Sequence, residues 1–311
     1  MTLAEATKLT EEGARTYLEG IRWPDGPICP HCGELDNAVR MNGAAHRAAL
    51  LQCRGCRKQF SVTVGTIMER SHITPRQWVI AFHMMCASKK GVSALQLQRM
   101  LGLGSYKSAW HMAHRIRLAM REEPLSSLVG QVEADETYVG GKPRNRKPRD
   151  RYFGGKPKQG RGTDKTPVLA LIERGGRARA FALDNVTSKT LRKAIDASVD
   201  KSSTFNTDEF PAYKAIGREF EGGHRTVTHS KGEYAKPDGS HINTCESFFG
   251  LFKRGVHGSF HHVSKKHLHR YLDEFSFRWD HRKTTDGERT EKAIKAAEGK
   301  RLQYRSPVSQ G

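Results

Sequence analysis

Apolar positions along the chain fall into two regimes, one with helical period and one with alternating period. Residues 3–20 carry Ala, Leu and Tyr at helical spacing and predict a short helix, closed by the turn-forming Trp23-Pro24-Asp25-Gly26. From Pro75 to Met120 the apolar positions recur every three to four residues: Trp78, Ile80, Ala81, Met84 and Met85, then Leu95, Leu97, Met100 and Leu101, then Trp110, Met112, Ala113, Ile116, Ala119 and Met120. That spacing predicts at least three helices. Gly102-Leu103-Gly104-Ser105 separates the last two, and Ser105 is placed to cap the final one, which carries Tyr106, Lys107, Ser108, His111, Arg115 and Arg117. The arrangement resembles a helix-turn-helix whose last helix would bring Lys107, Arg115 and Arg117 to DNA, although an ordinary helical hairpin packing its apolar stripe would show the same spacing.

Beyond Pro124 the pattern shifts to strands, predicted at 129–139, 167–173, 178–183, 203–207 and 225–228, with helices at 188–199 and 241–254. A strand meander followed by alternating helices and strands predicts an α/β domain with a mixed sheet flanked by helices. The chain accordingly divides into an N-terminal helix (1–24), a Cys-rich module (25–70), a helical DNA-binding domain (71–122), an α/β domain (128–280) and a basic C-terminal tail (281–311) whose role the sequence does not reveal.

Charge narrows the partner. Fifty-three Lys and Arg against 33 Asp and Glu give a formal net charge of +20 over 311 residues, which favours a polyanion such as nucleic acid. Charge alone does not separate an enzyme from a ribosomal or chromatin-type binder. Nine Lys or Arg crowd into residues 142–161, among them Lys142, Arg144, Arg146, Lys147, Arg149 and Arg151, with Gly and Pro between them. This stretch reads as a basic loop that clamps a DNA backbone, or else as a solvated linker. The N-terminus lacks an apolar signal region, and no apolar run approaches the roughly 20 residues that span a bilayer, so a soluble cytoplasmic protein is expected, without a membrane partner and associated with the nucleoid when bound to DNA.

Cysteine spacing is more specific. Cys29-Pro-His-Cys32 and Cys53-Arg-Gly-Cys56 are separated by twenty residues, and two such knuckles present four thiolates to tetrahedral zinc. Gly33 and Gly55 are expected to supply the permissive backbone of the two turns, and His31 to stay on the surface. Cys86 and Cys245 have no partner in this pattern and read as core residues.

Acidic residues interrupt the basic background at three places: Glu133 and Asp135 in VEADETYV, Asp208 in FNTDEF, and Glu246 in NTCESFF. Carboxylates spread over strands and a helix can converge to hold two divalent ions about 3.5–4 Å apart for phosphoryl transfer. Strand alternation puts Glu133 and Asp135 on the same face, so local pattern does not choose between them. Asp208 lies where a strand ends, the sheet edge at which α/β sites gather, but it also suits a turn.

The motifs CPHCG, CRGCRKQFSVTVGTIME, KGVSALQLQRMLGL, EADETYVGG, NTDEF and HINTCESFFGLFKRGVHGSFHHVSKKHLHRYLDEFSFRWDHR together resemble the bacterial insertion-sequence DDE transposases with an N-terminal zinc ribbon and an ISXO2-like domain, relatives of the eukaryotic Merlin elements. The resemblance covers nearly the whole chain. It implies an RNase H-like fold, binding to terminal inverted repeats and target DNA, a homo-oligomer on DNA, and strand cleavage and transfer with Mg²⁺ or Mn²⁺ beside the structural Zn²⁺. It assigns Asp135 and Asp208 as the first two acids, leaving Glu133 secondary, and the third ligand to the helix near His241. There Glu246 precedes Lys253 by seven residues, the spacing many such enzymes use, whereas some members carry Asn in the third place, which would be Asn243 here. Lys253 and Arg254 would hold phosphate. The same residues without catalysis would make a domesticated DNA-binding protein.

Overall fold

A computed structural model describes residues 1–43, 46–122, 126–140, 165–228 and 232–303. The chain forms two compact units, Met1–Glu122 together with Arg282–Gly311, and Glu123–His281.

In the first unit, the N-terminal segment expected as one helix is two, α1 (Leu3–Lys8) and α2 (Glu11–Arg22). The break is chemical: Leu9 is extended, and the Thr10 side chain accepts the Gly13 N–H, so Thr10 caps a new helix instead of continuing the old one. Ala14, Leu18 and Ile21 form the buried stripe of α2. Strands β1 (Ala38–Arg40), β2 (Leu51–Cys53) and β3 (Gln59–Phe60) pair antiparallel into a small sheet. Helix α3 (Pro75–Ala87) starts at a Thr74–Gln77 capping box with Pro75 in its first turn and buries eight of its residues, Trp78, Phe82 and Met85 among them. Helix α4 (Ala94–Leu101) ends on Gly102, which takes the left-handed conformation (φ 62°) that glycine adopts without steric cost. Ser105 then accepts the Ser108 N–H and caps α5 (Tyr106–Met120).

The segment read from sequence as a tail carries a helix (Asp286–Lys295), numbered α10 in chain order, packed on α3 and α2. Its apolar contribution is small, Ala293 and Ile294 with Ala297 just beyond, so its pattern is faint. Polar groups complete the attachment: Arg289 donates to the Cys86 and Thr284 carbonyls at 3.0 Å each, and Tyr17 donates to Glu291 at 3.2 Å.

In the second unit, strands β4 (Gln131–Val139), β5 (Thr166–Glu173), β6 (Ala178–Ala182), β7 (Thr204–Thr207) and β8 (His224–Thr226) form one sheet in the order β6-β5-β4-β7-β8. The first three make an antiparallel meander; β7 and β8 add parallel to β4. This mixed sheet, with helices on both faces, is RNase H-like. Alternation along β5 sends Val168, Ala170 and Ile172 to one face and Leu169 and Leu171 to the other, and all are fully buried because both faces are covered. One face carries α6 (Ser188–Asp196) and α7 (Ala212–Gly217), through Leu191, Ile195, Tyr213 and Ile216. The other carries α8 (Asn243–Gly255) and α9 (Leu268–Asp280), whose Phe248, Phe252, Leu272 and Phe275 supply most of the apolar contact. Cys245 lies in this second layer and Cys86 in α3, both fully buried as expected.

Candidate active site and zinc centre

In the first unit, the Sγ atoms of Cys29, Cys32, Cys53 and Cys56 lie within 4.8 Å of one another. The pairs Cys29–Cys56 and Cys32–Cys53 are 3.6 and 3.7 Å apart. A zinc tetrahedron with bonds of about 2.3 Å has edges of about 3.8 Å, so the four thiols fit that ion. Their mutual influence points the same way. Burial opposes ionisation of Cys29, but the backbone N–H groups of His31 and Cys32 outweigh it and bring the thiol down to about 7. The Glu34 N–H favours a Cys32 thiolate, yet the neighbouring thiols push Cys32 up to about 12, as expected of a site built for a cation to neutralise. His31 is exposed and near the Gln59 carbonyl. Gly33 has φ 78° as the first turn requires, but the left-handed residue of the second knuckle is Arg57 (φ 63°), not Gly55. Gly55 faces the Glu34 carboxylate, which a Cβ at that position would push aside.

The second unit contains the acidic residues. Alternation sends Glu133, Asp135 and Thr137 toward the α8 face of β4. Glu133 is fully buried, and both of its oxygens are engaged. Oε1 accepts from Arg174 Nε at 2.6 Å and Thr244 Oγ1 at 2.8 Å, with His241 Nδ1 at 3.0 Å; Oε2 accepts the Thr244 and Cys245 amides at 2.8 and 3.1 Å. Those amides belong to the first turn of α8, whose N-cap, Ile242, has no side chain to satisfy them. A carboxylate from the neighbouring strand therefore caps the helix, favoured also by the helix dipole. Arg174 extends the clamp to the Gly239 and His241 carbonyls, both at 2.9 Å. With both oxygens engaged in this way, Glu133 ties the strand to the first turn of α8.

Asp135 is half-buried and its Oδ1 accepts the Glu136 N–H at 2.8 Å. Pairing of β4 with β7 matches Val132 with Phe205 and Glu133 with Asn206; Asp135 and Asp208 each follow two residues further along, and the Asp208 charge acts on Asp135. Asp208 stands just past the end of β7, at the C-terminal edge of the parallel pair. It also makes the turn its alternative reading foresaw, its Oδ1 accepting the Phe210 N–H at 3.0 Å. Burial, followed by the charges of Glu136, Asp208 and Glu246, pushes Asp135 up to about 8. Three carboxylates thus act on a fourth. Glu246 and Asn243 lie on the exposed side of α8, as do Lys253 and Arg254 two turns later. Among the described residues the cysteines are the one group of three or more possible metal ligands drawn within 4.8 Å; the carboxylates stand further apart.

Two features of this region were not legible in the sequence. Glu136, on the opposite face of β4, accepts from the fully buried Tyr213 hydroxyl at 2.8 Å, and burial together with the Glu136 charge holds that phenol protonated. Arg174 has no local motif, and only the tertiary pairing gives it a role.

Positions expected at DNA divide three ways. Lys107 is exposed at the start of α5. Arg115 and Arg117, expected at DNA, are buried, 6% and 2% exposed, and Arg115 lies over the Trp78 ring and donates to the Glu69 carbonyl. Lys142, Arg144, Arg146, Lys147, Arg149 and Arg151 lie outside the described residues. No helix among the described residues is long and apolar enough to cross a membrane.

Family comparison agrees with these features. The model described as ISXO2-like transposase domain matches residues 127–280, the span of the mixed sheet and its helices. The model described as transposase zinc-ribbon domain matches residues 9–59, which takes in α2 as well as the four cysteines. A relative described as an uncharacterized protein in transposable element ISH50 of Halobacterium salinarum is 31% identical over 280 residues, 88% of this chain and 92% of the relative. With both regions and most of the length accounted for, the chain belongs to the ISXO2-like transposase family.

Proposed function

We propose that the protein binds the terminal inverted repeats of its element and performs metal-dependent cleavage and strand transfer, with Asp135, Asp208 and Glu246 as the metal-holding carboxylates. The observation that carries this reading is the meeting of three acids from β4, the end of β7 and α8 at one sheet edge of a chain with net charge +20. Held there, Mg²⁺ or Mn²⁺ would supply activation of the attacking oxygen and neutralisation of charge on the scissile phosphate. Asp135 and Asp208 come from adjacent strands, so their spacing is fixed by the sheet. Glu246 is favoured over Asn243 because its charge acts on Asp135; Asn243, one turn earlier on the same exposed side, would orient a water or a phosphate oxygen. Lys253, seven residues after Glu246, and Arg254 would hold the DNA strand, and Lys107 would contact DNA from the first unit. Two transposon ends are paired by two or more copies of the chain, working in the cytoplasm at the nucleoid. Zn²⁺ holds the two cysteine knuckles together and takes no part in the chemistry.

The decisive assay offers the full chain duplex DNA carrying the element's own ends. Asp208→Ala should lose Mg²⁺-dependent cutting and joining while keeping its affinity for the ends; equal activity in the variant would remove Asp208 from the site. A second expectation follows from the raised Asp135. In protein freed of Mg²⁺ and Mn²⁺, between pH 4 and 8 the folded chain holds a proton that the unfolded chain has released, so this group lowers stability as pH rises. Asp135→Asn should then be more stable than the parent by a margin that widens from pH 5 to pH 8.5 and shrinks when Mn²⁺ is added. Urea midpoints measure this, and a margin independent of pH would refute it. Finally, metal analysis should find one zinc per chain, lost in Cys29→Ser together with a lowered melting temperature; a zinc-free parent of equal stability would contradict the ribbon site.

A further inference from the structure

The first unit contains a cavity of about 370 Å³ that the transposase chemistry leaves unassigned. One wall is a stripe of α5, Ser108, His111 and Arg115, three and four residues apart as one helical face requires. The facing walls bring Arg70 and His72 from the connection before α3, and Arg301 from the segment after α10. Three arginines therefore line the cavity against a single acid, Glu69, whose Oε2 accepts the Gly65 amide at 3.0 Å and whose Oε1 lies 3.6 Å from Arg70 Nε, leaving Arg115 and Arg301 without an acid of their own in the lining. Arg115 is 6% exposed, and its Nε has no hydrogen-bond partner. Burial and the Arg301 charge both work against its guanidinium. Cations are rarely gathered and left with donor capacity unused unless an anion completes them.

We propose that this cavity receives a backbone phosphate of the DNA duplex beside the exposed first turn of α5, with Arg70, Arg115 and Arg301 as its donors. The inference rests on the reading of the chain as a DNA-binding transposase. It gives Arg115 a role from within a cavity, where direct base contact from an outer helix face is closed to it. Arg70, whose side chain is 80% exposed, and Arg301, which is also exposed, can be changed without opening the core.

The test measures affinity of the full chain for a fluorescent duplex of the element's end across a series of salt concentrations. Each phosphate neutralised contributes about 0.9 to the slope of log affinity against log salt. Arg70→Ala, Arg301→Ala and the double variant should each lower the slope by about one, because all three lose the same phosphate, and Arg70→Lys should retain it. The melting temperature should be unchanged. A double variant losing about two would mean separate contacts and would overturn the shared site, as would an unchanged slope. Stabilisation of the parent by inorganic phosphate, with variants that bind DNA like the parent, would make it a small-anion site and equally overturn the proposal. Failure of the unaltered chain to bind any end sequence would instead remove the DNA-binding reading itself.

Discussion

The buried carboxylate of Glu133 is the interaction on which the second unit depends. A helix that begins at Asn243 presents unpaired amides in its first turn, and its N-cap position offers no side chain to satisfy them. Glu133 meets two of those amides from the centre of the sheet, with Arg174 balancing its charge. A buried ion pair of this kind contributes little net stability compared with an apolar substitute, but it is highly directional. Its consequence is geometric: the helix that carries Asn243, Glu246 and Lys253 is tied at its first turn to the strand that carries Asp135, two residues along from the clamp.

The same strand then carries two carboxylates with opposite roles. Glu133 is fully buried among donors from Arg174, Thr244 and Cys245; Asp135 is half-buried, with like charges around it and its neighbour's amide as a hydrogen-bond donor. Environment makes the distinction, since both residues share a face and differ by one repeat of the pleat. The four cysteine Sγ atoms, by contrast, already lie at distances that suit a zinc tetrahedron.

Much of this was legible in the sequence, and what escaped has physical reasons. Strong periodicity gave α3 to α5 and all five strands of the sheet, and the paired CxxC spacing gave the four ligands that come together. The break at Thr10 escaped because a capping hydroxyl interrupts a stripe that looks continuous. Helix α10 escaped because two apolar residues and a buried arginine hold it, and neither leaves a period. The burial of Arg115 and Arg117 escaped because the sequence shows charge but not the stems and rings that bury it. The division of labour between Glu133 and Asp135 depends on Arg174 and on the first turn of α8, more than forty and one hundred residues away respectively; no local pattern carries it, and only the family resemblance pointed to Asp135.

The most direct measurement of the central claim is the anomalous scattering of Mn²⁺ in crystals of the full chain bound to a duplex of its element's end. The account predicts Mn²⁺ ligated by Asp135 and Asp208 and completed from α8 by Glu246, with Glu133 still bound to Arg174 and the Thr244 and Cys245 amides. Mn²⁺ ligated by Glu133, or bound DNA with no ion between Asp135 and Asp208, would contradict it.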